Sequence, residues 1–233
     1  CAITHATPGS FAASVISRNM YEEIAEDMAS SGVDVMIGGG YDHFAKRKDG
    51  RNLIDSLRRR DYQVPTTLET LQQVQSGKVA ALLYPVHPPY VVDGRGDMLR
   101  TAAMKAVDLL DDDPEGFMLM IEASQIDWAC HGHQREELNG ELKDFALTIA
   151  AVLEYAKKDG NTLVIVTADH ETGAYSLQGG DWERGKVKGS FDSWDHTGSM
   201  VPLLAYGPGS SRFPALIDNA QLNAIMADLL GLR

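Results

Sequence analysis

Three short stretches of the chain concentrate carboxylates and imidazoles. The first runs from Glu122 through Asp127 to His131, directly after the apolar run Phe117 to Ile121. Asp127 and His131 are four residues apart, so a helical turn puts both on one face, a common way to present two ligands to one metal ion. The second is Ala168-Asp169-His170, at the end of the run Thr162 to Thr167. The third, Trp194-Asp195-His196-Thr197-Gly198, precedes the run Val201 to Tyr206. Carboxylate combined with imidazole suits zinc or another borderline divalent cation. Upstream stand His5-Ala6-Thr7-Pro8 and Ser17-Arg18-Asn19. Taken singly, a His or Asp after a strand is most often a helix cap or a surface residue. Their collection at one expected sheet edge is what argues for a site.

The elements that must position these residues alternate. Val33 to Ile37, Val79 to Tyr84, Phe117 to Ile121, Thr162 to Thr167 and Val201 to Tyr206 are short, apolar and often β-branched, and read as buried parallel strands. Between them Tyr21 to Ala29, Leu53 to Arg60, Leu68 to Val74, Met98 to Leu110, Glu136 to Lys158 and Gln221 to Leu230 have helical periodicity. The alternation predicts an α/β fold, a doubly wound, mostly parallel sheet with helices on both faces and ligands beyond the C-terminal strand ends. Gln178 to Ser199, with two Trp and several Gly, is long for a loop and reads as a site loop. Gly38-Gly39-Gly40 lacks the Lys and Ser/Thr of a P-loop and reads as a tight turn. His43, His87 and His133 read as surface residues or supports behind a site.

The 233 residues fit one large α/β domain, and 44% hydrophobic with 23% charged residues is an ordinary globular composition. A net charge of −12 disfavours nucleic acid as a partner. A phosphorylated substrate would then need bound cations as local positive charge. No run approaches a membrane span, and two cysteines are too few for a disulfide framework. The start at Cys1, inside an apparent strand and turn, reads as a cut, so the expectation is residues 1–233 of one N-terminally truncated domain.

In order along the chain, His5-Ala6-Thr7-Pro8, Ser17-Arg18-Asn19, Gly38-Gly39-Gly40, Glu122 through Asp127 to His131, Thr167-Ala168-Asp169-His170 and Asp195-His196-Thr197-Gly198 resemble the alkaline phosphatases. The resemblance implies phosphate monoester hydrolysis with two zinc ions and one magnesium. It implies Asp127, His131 and His196 on the first zinc, Asp169 and His170 on the second, and Thr7 and Glu122 at the magnesium. Arg18 then grips phosphate through its planar fork. His5 and Trp128 depart from the best-known bacterial pattern, which has Asp and Lys there, and they bear on the third metal and the waters around phosphate. The resemblance also implies a Ser nucleophile and a bridging Asp upstream of these residues, so that the 233-residue piece alone is expected to be inactive. Asp55-Ser56, in a helical pattern, and Asp192-Ser193, in the loop before His196, are rejected for the nucleophile. Small-molecule phosphomonoesters as substrates, a homodimer, and a periplasmic or secreted location are further expectations. The rivals are a phosphodiesterase or sulfatase on the same scaffold, or a non-catalytic metal-binding relative.

Overall fold

The β1 strand (Val35–Gly39) and the β2 strand (Val79–Tyr84) form a parallel ladder in which Val35 faces Val79 and Gly38 faces Leu82. In the computed structural model, which describes residues 1–232, this ladder belongs to the first of two units, Cys1–Gln125 with Lys143–Phe145. The same unit holds α1 (Ala6–Ala12), α2 (Tyr21–Ser30), α3 (Tyr41–Ala45), α4 (Leu53–Arg58), α5 (Leu68–Gln73) and α6 (Met98–Leu110). Side chains alternate across a strand, and β2 uses both faces. Ala80 and Leu82 pack with Ile24, Met28, Met36, Phe44 and Leu57, while Val79 and Ala81 pack with Leu71 and Val74. Burial on both faces is what an unbroken apolar run predicts. On α6, Met98, Ala102, Ala103, Ala106 and Val107 are buried at helical spacing.

The glycine turn after β1 is a packing requirement. A Cβ on Gly39 would lie 2.0 Å from the Val86 carbonyl oxygen, and Gly40, at φ 104°, opens α3. The tight-turn reading therefore holds. Ala2 bridges to Gly39 in parallel, setting the chain's first residues alongside β1. Deeper in this unit the Arg95 guanidinium is buried against the Asp144 carboxylate at 3.0 Å and also donates to Gln125 Oε1. Gln125 Nε2 in turn donates to Pro88 O, so the first residue of α7 (Gln125–His131) is held at its side chain.

The second unit comprises Ile126–Leu142 and Ala146–Arg233. After α7 comes the 25-residue α8 (Arg135–Asp159), stopped by Gly160 in the left-handed region. Then follow β3 (Val164–Val166), β4 (Glu171–Thr172), β5 (Ser176–Asp181), β6 (Lys186–Ser190), β7 (His196–Thr197), β8 (Leu204–Tyr206) and α9 (Asn219–Leu229). All three of the named ladders here, β3–β8, β4–β7 and β5–β6, are antiparallel.

Several strand expectations change. The runs containing β3 and β8 pair antiparallel, because residue composition sets strand character but not direction. Phe117 to Ile121 carries no ladder among the described residues. Its β-branched and aromatic content marks only a preference, which becomes a strand when a neighbour takes its backbone groups. The stretch Gln178 to Ser199 is mostly the β5–β6 hairpin and β7, and not a loop.

Candidate metal centre

Three elements of the second unit converge. The helix α7 forms where the four-residue spacing required it, and Asp127 Oδ1 lies 3.5 Å from His131 Nε2. The antiparallel β4–β7 pair sets Thr172 opposite His196 and Glu171 opposite Thr197. Opposed residues share a face, so Thr172 and His196 lie together on one side. On the other, the Thr197 hydroxyl donates to Glu171 Oε2. His196 Nε2 then comes within 3.1 Å of His131 Nε2 and 3.6 Å of Asp127 Oδ1.

The tautomer of His131 follows from its partner. Its Nδ1 lies 2.8 Å from the Trp194 carbonyl oxygen, which can only accept, so Nδ1 donates and Nε2 presents a lone pair. Asp127 is oriented by the buried Thr172, whose hydroxyl donates to Oδ1 at 2.6 Å and lies 3.1 Å from His170 Nδ1. His170 stacks on His196 with ring centroids 3.6 Å apart.

Two sets of ligand atoms each gather within 4.8 Å: Asp127, His170 and His196, and His131, Asp195 and His196. Imidazole nitrogens with carboxylate oxygens are a donor set for zinc-like ions, so the residues fit such a metal. The geometry gathers five of the residues singled out in the sequence, Asp127, His131, His170, His196 and Asp195. Asp169, largely exposed, lies outside both sets but approaches His170 Nε2 at 3.3 Å. Trp128 sits half-buried on α7. Sequence reasoning missed Thr172. It stands two residues beyond His170 and beside its ring.

Cys130, buried on α7 between these ligands, has its thiol pushed up to about 11 by burial, with the Asp127 and Glu171 carboxylates adding to the effect.

The remaining singled-out residues belong to the first unit. His5 precedes α1, and its ring meets His87 edge-on at 5.4 Å and stacks on Tyr21 at 6.4 Å. His87 Nδ1 accepts from Ala2 N, and burial lowers this imidazole to about 4. Thr7 lies in the first turn of α1. Glu122 Oε2 accepts from the Cys1 thiol at 3.0 Å, and Cys1 N donates to Ser124 Oγ. Arg18 is exposed between α1 and α2. Thr7 and Glu122 offer oxygen donors of the kind magnesium takes.

The family model for alkaline phosphatase matches residues 1–189. Alkaline phosphatase 4 of Bacillus subtilis (strain 168) is 29% identical over an alignment 304 residues long, which covers 98% of this chain and 65% of that protein. The chain thus spans just under two thirds of that relative's length. The solved alkaline phosphatase of the Antarctic bacterium TAB5 superposes with a TM-score of 0.93 at 36% identity, covering 100% of this chain and 70% of that one. A histidine-to-glutamate variant of the TAB5 enzyme, solved with magnesium in its M3 site, matches at a TM-score of 0.90 and 35% identity over 99% of this chain and 70% of that one. The similarity runs through the whole described fold, and among the described residues no helix is long and apolar enough to cross a membrane. With its ligand-rich motifs gathered as found above, the chain belongs to the alkaline phosphatase family.

Proposed function

We propose that the protein hydrolyses phosphate monoesters, with Asp127, His131 and His196 holding one zinc and Asp169 and His170 a second. The observation that carries the reading is the convergence of His131 Nε2, His196 Nε2 and Asp127 Oδ1 within 3.6 Å of one another. Zinc bound there would neutralise charge on the transferring phosphoryl group and lower the pKa of a bound water. The chain's own part is to fix the donors. Trp194 O turns the His131 ring so that Nε2 faces inward, Thr172 holds Asp127, and the β4–β7 ladder sets His196. Such outer partners commonly set ligand orientation and basicity.

Thr7 and Glu122 would hold magnesium, supported by their oxygen donors and by the magnesium in the TAB5 variant's structure. His5, two residues before Thr7, supplies a nitrogen, which suits a softer ion better, and would tune that site, while Trp128 would tune its neighbouring ligand Asp127. Arg18 would bind phosphate, since an always-charged guanidinium is never a metal ligand. The phosphoryl acceptor in this reading is a serine upstream of Cys1. Ser56 lies within α4, and Ser193 is engaged with the backbone of Asp195, which keeps both rejected.

The test strips metal from the full-length protein, restores zinc and magnesium, and compares p-nitrophenyl phosphate with bis-p-nitrophenyl phosphate and p-nitrophenyl sulfate. Zinc-dependent turnover with the monoester fastest is expected. Faster turnover of the diester or the sulfate would overturn it. A homodimer and an extracytoplasmic location belong to the same reading and are checked by sedimentation and cell fractionation.

A further inference from the structure

Two residues beyond His131, a second histidine sits in a backbone conformation that resists it. The α7 helix ends in a Schellman motif: Gln134 N donates to Ala129 O at 2.8 Å and His133 N donates to Cys130 O at 3.1 Å. This places His133 at the left-handed position that glycine normally fills, with φ 51°. A side chain there costs on the order of 1 kcal/mol, and such an outlier invites the question of what the side chain does.

Its ring is sandwiched. It stacks on Trp194 with centroids 3.6 Å apart and planes 15° apart, and on Phe191 at 4.7 Å and 7°. His133 Nε2 lies 2.7 Å from Ser193 O, a carbonyl, so that nitrogen donates and has no lone pair for a metal. The two neighbouring histidines are therefore used oppositely. His131 donates from Nδ1 to Trp194 O and turns its Nε2 lone pair toward His196 and Asp127, whereas His133 commits Nε2 to Ser193 O. Both bonds land on the same four-residue segment, Phe191 to Trp194, which leads directly into Asp195 and His196. The other side of that segment is tied by Asp192 N and Ser193 N, both donating to Gly173 O.

From this arrangement we infer that His133 is a positioning residue for the metal ligands. Its stacked ring docks Phe191–Trp194 on the end of α7, which sets the Trp194 carbonyl that orients His131 and the backbone that presents His196. The inference rests on the reading that His131 and His196 hold zinc. It adds a residue that touches neither metal nor substrate.

The test is zinc affinity of the full-length protein, measured by chelator competition without substrate, together with the visible spectrum of the cobalt-substituted form. His133→Gly relieves the backbone strain but removes the ring. It should weaken zinc roughly 10–100-fold, the range for residues behind metal ligands, and alter the cobalt spectrum. His133→Asn, which also suits a positive φ, should lose affinity similarly. His133→Phe keeps the sandwich and should restore most of it. Zinc affinity within twofold of wild type for the Gly and Asn variants would overturn the inference, as would a Phe variant no better than Gly. His131→Ala separates the two levels. If it binds zinc as wild type does, the ligand assignment itself is wrong, whatever the His133 variants do.

Discussion

The two units are stabilised by different means. In Cys1–Gln125 with Lys143–Phe145, apolar side chains such as Phe44, Leu57, Leu71, Val79 and Leu82 are at most 1% exposed and cover both faces of β2. Among the described residues of Ile126–Leu142 with Ala146–Arg233, the buried apolar ones are Ala129, Cys130, Leu138 and Ala156, while Leu177, Trp182, Val187 and Leu204 are exposed. What orders the second unit around its ligands is polar and aromatic: the Thr172–Asp127 bond, the His131–Trp194 bond, and the His133 sandwich. A half built on apolar burial should gain little from zinc. A half built on converging donors should gain stability from it, since a ligand that binds only the folded state adds about 4 kcal/mol at a thousandfold excess over its dissociation constant.

The sharpest way to break this comparison is to remove a ligand. For His196→Ala we expect zinc content and monoester turnover to fall together, turnover by roughly 1,000-fold or more, since a metal ion supplies several kcal/mol of charge stabilisation. Metal analysis beside a turnover assay checks it, and wild-type zinc content would refute the assignment.

Cutting the apolar half should do the opposite. Phe44→Ala removes a fully buried ring and should cost about 3–5 kcal/mol in urea unfolding, with zinc per folded molecule unchanged. A loss of zinc from the folded Phe44→Ala protein would show that the halves are not separable in this way.

Smaller effects sharpen the picture. Arg18→Ala should weaken inhibition by inorganic phosphate about 10-fold, the low end for charge-assisted bonds from an exposed side chain, with metal content unchanged. Unaltered inhibition would remove Arg18 from the phosphate site. Smallest is the chemistry of Cys130. With its thiol pushed up to about 11 and its side chain buried, it should react with an alkylating reagent at pH 8 far more slowly in the native protein than after unfolding. Mass-spectrometric quantitation of Cys130 labelling reads this, and equal rates would mean that α7 opens readily in solution.

The sequence by itself determined α2, α4, α5, α6, α8 and α9, within a residue or two at most ends, because burial stripes such as Met98, Ala102, Ala106 are local in sequence and survive any tertiary context; α3 was not read, and α1 begins at Ala6 inside the expected strand and turn. It also singled out Asp127, His131, His170 and His196, which the fold then brings together, because they announce themselves by type and spacing. Strand direction and partner were not legible. β3 and β8 are as apolar and short as β1 and β2, yet one pair runs antiparallel and the other parallel, since pairing depends on a neighbour brought from far along the chain. The hairpin β5–β6 was hidden because its strands are polar and Gly-rich, without the alternation that marks a half-buried strand. Only the tertiary structure decided which nitrogen of each histidine faces the candidate centre. That choice is made by carbonyls sixty or more positions from His131 and His133 along the sequence, and a lone pair's direction is set by whichever acceptor the fold places at the other ring nitrogen.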